Sequence, residues 1–199
     1  MSNKISGVIL AGGSNNRFHN ITKANIVIDG KTIISRMIES MGNLFDEIII
    51  VANKPDEFAE FANCKLVSDH FLNSGPLGGI HAGLKASSNE SIFVFASDMP
   101  LLNREIIIRQ IQFYSMNICD LLVPRINNNI EPLHSICNTS VIKTLEEYLQ
   151  DNCDLAVSEF FKLLNVKYLL LESSEEVKNA FLNINSPSDI VFVEKILGI

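Results

Sequence analysis

The strongest constraint on the fold is a series of short, continuously apolar runs rich in β-branched residues. Residues 48–51 read Ile-Ile-Ile-Val and residues 92–95 read Ile-Phe-Val-Phe, with no polar residue interrupting either run. A strand with one face in water alternates apolar and polar residues, so unbroken runs are typical of strands that are covered on both faces. The sequence therefore predicts a parallel sheet enclosed by two layers of helices.

Strand and helix signals alternate along the whole chain. Apolar runs predict strands at residues 5–11, 47–52, 65–68, 92–97, 121–123, 133–137 and 166–171. Helical stretches are predicted between them, at residues 33–44, 104–115, 141–149 and 187–196. Thr32 and Asn103 are suitable N-caps, and Pro187 stands at a first helical position. This order predicts the α/β class with an open, doubly wound sheet, and ligands bind such sheets beyond the carboxyl ends of the strands.

Composition narrows the classes of function. The formal net charge is −7 and no dense Lys/Arg cluster is present, which argues against a nucleic-acid binder. No apolar run approaches 18 residues, so we expect no membrane span, and the first residues lack the apolar core of a signal peptide. The four cysteines show no Cys-x-x-Cys spacing, which favours reduced thiols in a cytoplasmic protein. No repeat or composition break divides residues 1–199, so we predict a single domain.

A glycine-rich loop follows the first predicted strand, in the order Leu10-Ala11-Gly12-Gly13-Ser14-Asn15-Asn16-Arg17. Paired glycines let backbone N–H groups approach phosphate oxygens closely. Arg17 and Lys23 would then neutralise phosphate charge. The loop is neither a Walker A motif nor G-x-G-x-x-G, and a simple turn with two solvated cations is the alternative interpretation.

Two further segments follow predicted strands. Asp98 ends the fourth strand, where a carboxylate suits Mg²⁺ that also binds phosphate oxygens and water, although a capping role is the alternative. Gly75-Pro76-Leu77-Gly78-Gly79 would wrap closely around a ligand and then open a helix, whose N-terminus favours anions. An ordinary Gly/Pro turn is the alternative interpretation of that stretch.

Two asparagines near the C-terminus form the last candidate. Asn183 and Asn185 are two residues apart, so their amides would point the same way from an extended segment, unless they only cap the final helix. The four histidines lack metal-ligand spacing, and His134, in Glu131-Pro132-Leu133-His134-Ser135, is a weaker candidate. Nothing indicates a nucleophilic triad.

The order of these elements resembles the molybdenum cofactor guanylyltransferase family over residues 5 to about 195. Many nucleotidyltransferases share the first loop, whereas Gly75-Pro76-Leu77-Gly78-Gly79 and Asn183-Ile184-Asn185-Ser186-Pro187 are more specific. Residues 131–135 are similar to the family's Q-P-L-x-A stretch. The chain departs from the family in having Phe18-His19 where Met-Gly is common, and Thr22 where an acidic residue often precedes the lysine.

The resemblance implies a Rossmann-like fold of the nucleotide-diphospho-sugar transferase type, with a mostly parallel sheet and helices on both faces. It implies nucleotide binding by Leu10, Ala11, Gly12, Gly13, Lys23, Asn53, Asp69 and Gly75. It implies catalytic roles for Arg17, Lys23 and Asp98, with Mg²⁺ on Asp98. The pterin substrate would be bound by Gly78, Gly79, Asn183 and Asn185.

The reaction implied is transfer of GMP from GTP to the terminal phosphate of molybdopterin or its molybdenum form. An ionised phosphate oxygen is the nucleophile, so the absence of a recognisable general base is consistent with this chemistry. The expected partners are GTP, the pterin, and cofactor-insertion or acceptor molybdoenzymes. The alternatives are a cytidylyltransferase acting on the same pterin, a sugar-1-phosphate nucleotidyltransferase and a non-catalytic GTP-binding protein.

Overall fold

Helices cover both faces of a mixed, mostly parallel sheet in the computed structural model, which describes residues 4–12, 22–71, 73–151 and 155–199. The strands are β1 (Ile5–Leu10), β2 (Val27–Ile28), β3 (Lys31–Thr32), β4 (Ile48–Val51), β5 (Lys65–Val67), β6 (Ser91–Ala96), β7 (Leu121–Ile126), β8 (Asn129–Ile130), β9 (His134–Asn138) and β10 (Val166–Leu171). The α-helices are α1 (Ile33–Met41), α2 (Gly75–Ala86), α3 (Arg104–Ser115), α4 (Ile142–Asp151), α5 (Val157–Phe161), α6 (Glu175–Ala180) and α7 (Pro187–Leu197). Short 3₁₀ helices lie at Lys23–Asn25, Pro55–Phe58 and Thr139–Val141.

The main sheet has the strand order β10-β7-β9-β6-β1-β4-β5, and β8 pairs with β7. Strand β9 runs antiparallel to both of its neighbours, β6 and β7, whereas β6, β1, β4 and β5 are parallel to one another. Strands β2 and β3 form a separate two-stranded sheet. The predicted α/β class with a mostly parallel sheet is confirmed. Periodicity did not predict the reversed direction of β9, because an apolar run carries no information about strand direction.

Both faces of the sheet are buried in separate apolar clusters. Along β6, Phe93 and Phe95 pack in one cluster with residues of α1, α3 and α7, while Ile92 and Val94 pack in the other with residues of α2, α4 and α5. All four side chains are fully buried. Burial on both faces is the physical reason for the unbroken apolar runs, since successive strand residues point to opposite faces.

Helix α2 lies unusually close to β1. A Cβ atom on Gly83 would be 2.7 Å from Val8 Cγ1, so only a glycine tolerates this separation of helix and strand. One turn earlier, a Cβ atom on Gly79 would be 3.0 Å from Leu10 Cδ2. The close packing holds the first turn of α2 beside the carboxyl end of β1.

The helix ends show the capping interactions that the sequence predicts. Thr32 Oγ1 accepts a hydrogen bond from Ser35 N, and Asn103 Oδ1 accepts from Glu105 N and Ile106 N. Helix α1 ends three residues before the predicted end, because the next residue, Gly42, has a φ of 50°. Glycine adopts a positive φ without steric cost, and this backbone conformation ends the helix.

Three thiols in the described residues, those of Cys64, Cys119 and Cys137, are free. Burial raises the pKa of each, that of Cys137 to about 12. Cys153 lies outside the described residues. Among the helices of the described part of the chain, none is long and apolar enough to cross a membrane.

His134 is a core residue. Its ring makes edge-on contacts with Phe93, Phe95 and Phe181, and within the described residues neither ring nitrogen has a hydrogen-bond partner. Burial lowers the pKa of His134 to about 3, so the imidazole is neutral in the folded protein. This environment fits a buried ring and does not suit a metal ligand.

Replacing His134 by Leu should remove a pH-dependent part of the stability. An unfolded histidine titrates near pH 6.5, so between about pH 6.5 and 3 the unfolded state binds one more proton than the folded state. The stabilisation that comes from keeping His134 neutral is fully present above pH 6.5. Below that pH its loss lowers the free energy of unfolding by about 1.4 kcal/mol for each pH unit. Urea unfolding at pH 7, 6 and 5 should therefore show wild type losing about 2 kcal/mol relative to His134→Leu. The exposed His70→Leu is the control, and parallel pH profiles of wild type and His134→Leu would contradict the prediction.

Candidate active site

A cleft of about 930 Å³ opens at the carboxyl edge of the parallel strands. The strand registers align Leu10 with Val51 and Ala96, and Val51 with Val67. Four of the residues that line the cleft lie two positions beyond these aligned residues. They form one row across the sheet, in the order Asp69, Asn53, Gly12 and Asp98. The predicted residues that line the cleft are Leu10, Gly12, Lys23, Asn53, Asp69, Gly75, Gly79, Asp98 and Asn183.

Lys23 connects three distant segments of the chain at this edge. Its Nζ donates to Asp98 Oδ2 at 2.8 Å and to Asn185 Oδ1 at 2.7 Å. The side chains of Lys23 and Asp98 are only 24% and 20% exposed, so this ion pair is less screened than a surface pair. The 3₁₀ turn that carries Lys23 is anchored by the buried Ala24.

Asp98 has one carboxylate oxygen that the described residues leave unsatisfied. Its Oδ1 is buried and has no hydrogen-bond partner in that part of the chain, while Oδ2 is paired with Lys23. A buried acceptor without a partner is costly, which makes Oδ1 a natural ligand position for a cation or donor. In the described ranges no three His, Cys, Asp or Glu residues are grouped to hold a metal by themselves.

The segment before α7 is held at the same edge. Ile184 N donates to Asp98 O at 2.9 Å, and Asn183 Nδ2 donates to Phe181 O at 3.2 Å. Asp189 Oδ2 accepts from Asn185 N at 2.8 Å and from Ser186 N at 2.7 Å. The hydrogen bond from Asn185, the largest cause, lowers the pKa of Asp189. Ser186 is the N-cap residue, which leaves the Asn185 amide to contact Lys23.

Two other polar residues of the row are fixed by backbone contacts. Asn53 Nδ2 donates to Gly12 O at 2.7 Å, and Asp69 Oδ1 accepts from Phe71 N at 2.8 Å. A Cβ atom on Gly78 would be 2.8 Å from both Asp69 Oδ1 and Phe71 O, so Gly78 allows α2 to begin directly beneath this carboxylate. Burial raises the pKa of Asp69.

Three of the predicted residues lie in the described part of the chain but do not line the cleft. Ala11 is buried and donates its N–H to Val51 O at 2.7 Å, which gives it a structural contact at the base of the loop. Gly78 supports Asp69, and Asn185 reaches the cleft through Lys23. Gly13 and Arg17 lie outside the described residues, as do Phe18 and His19.

Several residues that line the cleft had no predicted role. They are Asn73, Ser97, Glu131 and Ser158, among others. Glu131 belongs to the stretch that is similar to the family's Q-P-L-x-A element, but the sequence indicated no function for it. Glu131 reaches the cleft because β9 lies beside β6 in the sheet. The residues around Glu131 do not indicate which strands are neighbours, so its position could not be predicted from them.

Comparison with known proteins identifies a family whose model matches most of this chain. The family described as MobA-like NTP transferase domain matches residues 7–164. A relative from Natranaerobius thermophilus, named probable molybdenum cofactor guanylyltransferase, is 34% identical over 100% of this chain and 98% of its own length.

Two solved structures share the fold. Molybdopterin-guanine dinucleotide biosynthesis protein A from Archaeoglobus fulgidus has a TM-score of 0.82 and 24% identity, over 98% of this chain and 99% of that one. The 4-diphosphocytidyl-2C-methyl-D-erythritolsynthase from Anaerococcus prevotii has a TM-score of 0.75 and 17% identity, over 100% of this chain and 97% of that one. Both likenesses bear on the fold alone, and they confirm the α/β architecture with a mostly parallel sheet.

Replacing Lys23 by Met should destabilise the protein by about 2 kcal/mol, because it leaves the half-buried Asp98 without its charged partner. Lys31 is the matched control, since its ion pair with Glu39 has the same 2.8 Å distance but side chains that are 52% and 59% exposed. Lys31→Met should cost less than about 1 kcal/mol. Urea unfolding of both variants at pH 7 measures the difference, and equal losses would contradict the importance of burial at Lys23.

Proposed function

Because the chain belongs to the MobA-like NTP transferase family, we propose that residues 1–199 act as one domain that transfers GMP from GTP to the terminal phosphate of molybdopterin, with or without bound molybdenum, and releases pyrophosphate. The observation that carries this proposal is the cluster of Lys23, Asp98 and Asn185 at the carboxyl edge of the sheet. In the proposed reaction, this cluster would bring a cation, a carboxylate and an amide to the point where the nucleoside triphosphate meets the acceptor phosphate.

The reaction needs positioning and charge neutralisation more than proton transfer. The acceptor phosphate oxygen is already ionised, so it can attack the α-phosphate without a general base. Two polyanions must approach each other, and the protein itself has a formal net charge of −7. Local cations therefore decide whether the substrates bind. In the described part of the chain, Lys23 is the one cation that lines the cleft.

We place the nucleotide over β1, β4 and β5. The backbone at residues 10–13 would hold the phosphates, and Gly75 would border them from the start of α2. Asn53 and Asp69, which lie at the far end of the row, would face the guanine and ribose. The hydrogen bond from Asn53 to Gly12 O supports this arrangement, since it couples the base side of the cleft to the phosphate loop.

The donor set fits a divalent cation, for which we propose Mg²⁺. Asp98 Oδ1 is a buried carboxylate oxygen without a partner in the described residues, and Mg²⁺ prefers one or two carboxylates together with phosphate oxygens and water. When bound, the ion supplies charge neutralisation at the α-phosphate. Lys23, and Arg17 from the glycine-rich loop, would stabilise the negative charge that develops on the leaving pyrophosphate.

We place the pterin on the other side of Asp98. Asn183 lines the cleft next to Ile184, whose N–H donates to Asp98 O, and Asn185 holds Lys23. Gly78 and Gly79, at the start of α2, lie beside Asp69 and Leu10 and would border the pterin from the nucleotide side. Cofactor-insertion proteins or acceptor molybdoenzymes would receive the product. We propose a cytoplasmic location, where GTP is available and the free thiols stay reduced.

Thermal unfolding with GTP, CTP, UTP and ATP in turn, each with Mg²⁺, tests the nucleotide. A nucleotide at about 100 times its Kd should stabilise the protein by about 2.7 kcal/mol, which raises Tm. Of the four nucleotides, we expect only GTP to raise Tm. A selective response to CTP would favour a cytidylyltransferase, and a response to UTP or ATP would favour a sugar-1-phosphate nucleotidyltransferase. Stabilisation by GTP without release of pyrophosphate in the presence of molybdopterin would indicate a non-catalytic GTP-binding protein.

Replacing Asp98 by Asn should lower the rate of GMP transfer by at least about a hundredfold, because an amide is a poor ligand for a hard cation. The variant should remain folded, which circular dichroism and urea unfolding would verify. Asp46→Asn is the matched control, because the Asp46 side chain is 68% exposed and pairs only with the exposed Lys4 within the described residues. Full transfer activity in the Asp98 variant would contradict the proposed metal position.

A further inference from the structure

Glu131 is an acidic residue in a cleft that is proposed to bind two polyanions. Its side chain is half-buried and lines the cleft, and burial raises its pKa. Within the described residues its carboxylate has neither a hydrogen-bond donor nor a cation as partner. A carboxylate placed in this way repels phosphate and is costly to desolvate, unless the bound substrate brings hydrogen-bond donors to it.

The backbone around Glu131 is held rigidly. Glu131 N donates to Pro124 O at 3.1 Å, His134 N donates to Glu131 O at 3.1 Å, and Ala96 N donates to Leu133 O at 3.0 Å. These contacts join the segment to β7 and to the end of β6. The position of Glu131 is therefore set by the central sheet, which makes it suitable for recognition of a rigid ligand.

The strand order separates Glu131 from the nucleotide side of the cleft. Asn53 and Asp69 follow β4 and β5, on one side of β1, while residues 131–133 lead into β9, beyond β6. Asp98, at the end of β6, lies between the two groups. Glu131 therefore belongs to the half of the cleft in which the acceptor substrate is proposed to bind.

The surroundings of Glu131 suit a flat heteroaromatic ring. Pro132 and Leu133, the next residues in the chain, line the cleft with apolar side chains, and Val157 and Ser158 line the cleft as well. Leu133 and Val157 pack against the same apolar cluster. Ligand sites commonly combine such apolar walls with a few polar groups that fix orientation. A pterin carries its hydrogen-bond donors at one edge, as a 2-amino group beside a ring N–H.

We propose that Glu131 determines specificity for the acceptor by accepting two hydrogen bonds from the 2-amino group and the adjacent ring N–H of the pterin. The two donors are parallel, and the two oxygens of a carboxylate match them in a bidentate arrangement. The inference rests on the proposed function for the identity of the acceptor. Guanine presents the same edge, but it is placed over β4 and β5, away from Glu131.

Fluorescence titration with pterin and with lumazine, its 2,4-dioxo analogue, tests the contact directly. Lumazine has a carbonyl group where pterin has the 2-amino group, so it loses one hydrogen bond and turns an acceptor toward the carboxylate. We expect wild type to bind pterin at least about tenfold more tightly than lumazine. Glu131→Gln should reduce this preference to about threefold or less, since an amide can donate to the carbonyl of lumazine. Glu147→Gln, at an exposed position of α4, is the matched control and should keep the preference.

Equal binding of pterin and lumazine by wild type, or an unchanged preference in Glu131→Gln, would overturn the inference. Steady-state kinetics provide a second readout. Glu131→Gln should raise KM for molybdopterin while KM for GTP stays within about twofold of wild type. A higher KM for GTP alone would place guanine at Glu131 and also overturn it. Failure of wild type to transfer GMP to molybdopterin would refute the proposed function, whereas the ratio of pterin to lumazine affinity would still test Glu131.

Discussion

Burial of the central strands on both faces is the constraint on which the rest of the structure depends. Because Phe93 and Phe95 pack on one side of β6 and Ile92 and Val94 on the other, the strand has no face left for a polar side chain. Polar groups are therefore confined to the ends of the strands. The aligned registers of β1, β4, β5 and β6 then bring those ends into one row, so the cleft follows from how the core is packed.

The ion pair of Lys23 and Asp98 lies at the edge of the packed sheet, where the reaction is proposed to take place. Lys23 donates to one carboxylate oxygen of Asp98 and to the amide oxygen of Asn185, and these contacts hold the segment before α7 against the end of β6. In the proposed reaction, phosphate groups compete with these partners for the ammonium group.

Charge is distributed unevenly along the cleft. Lys23 lines the cleft beside Asp98, whose other carboxylate oxygen is unsatisfied, whereas Glu131 lies on the β9 side without a partner in the described residues. A uniformly basic cleft would bind any polyanion, and nucleic acid among them. A carboxylate at one end favours a substrate that carries donors there, so the arrangement of charges discriminates between acceptors as well as attracting phosphate.

The sequence by itself determined the α/β class, the caps at Thr32 and Asn103, and the presence of Asp98 at a strand end, because each depends on residues that are neighbours along the chain. Only the tertiary structure decided which strands lie side by side. Since every central strand is apolar on both faces, the pattern does not distinguish one neighbour from another. The antiparallel insertion of β9, which brings Glu131 to the cleft, was therefore not predictable from local sequence. The contact between Lys23 and Asn185, 162 residues apart, was equally unpredictable, because it requires the complete sheet to be assembled first.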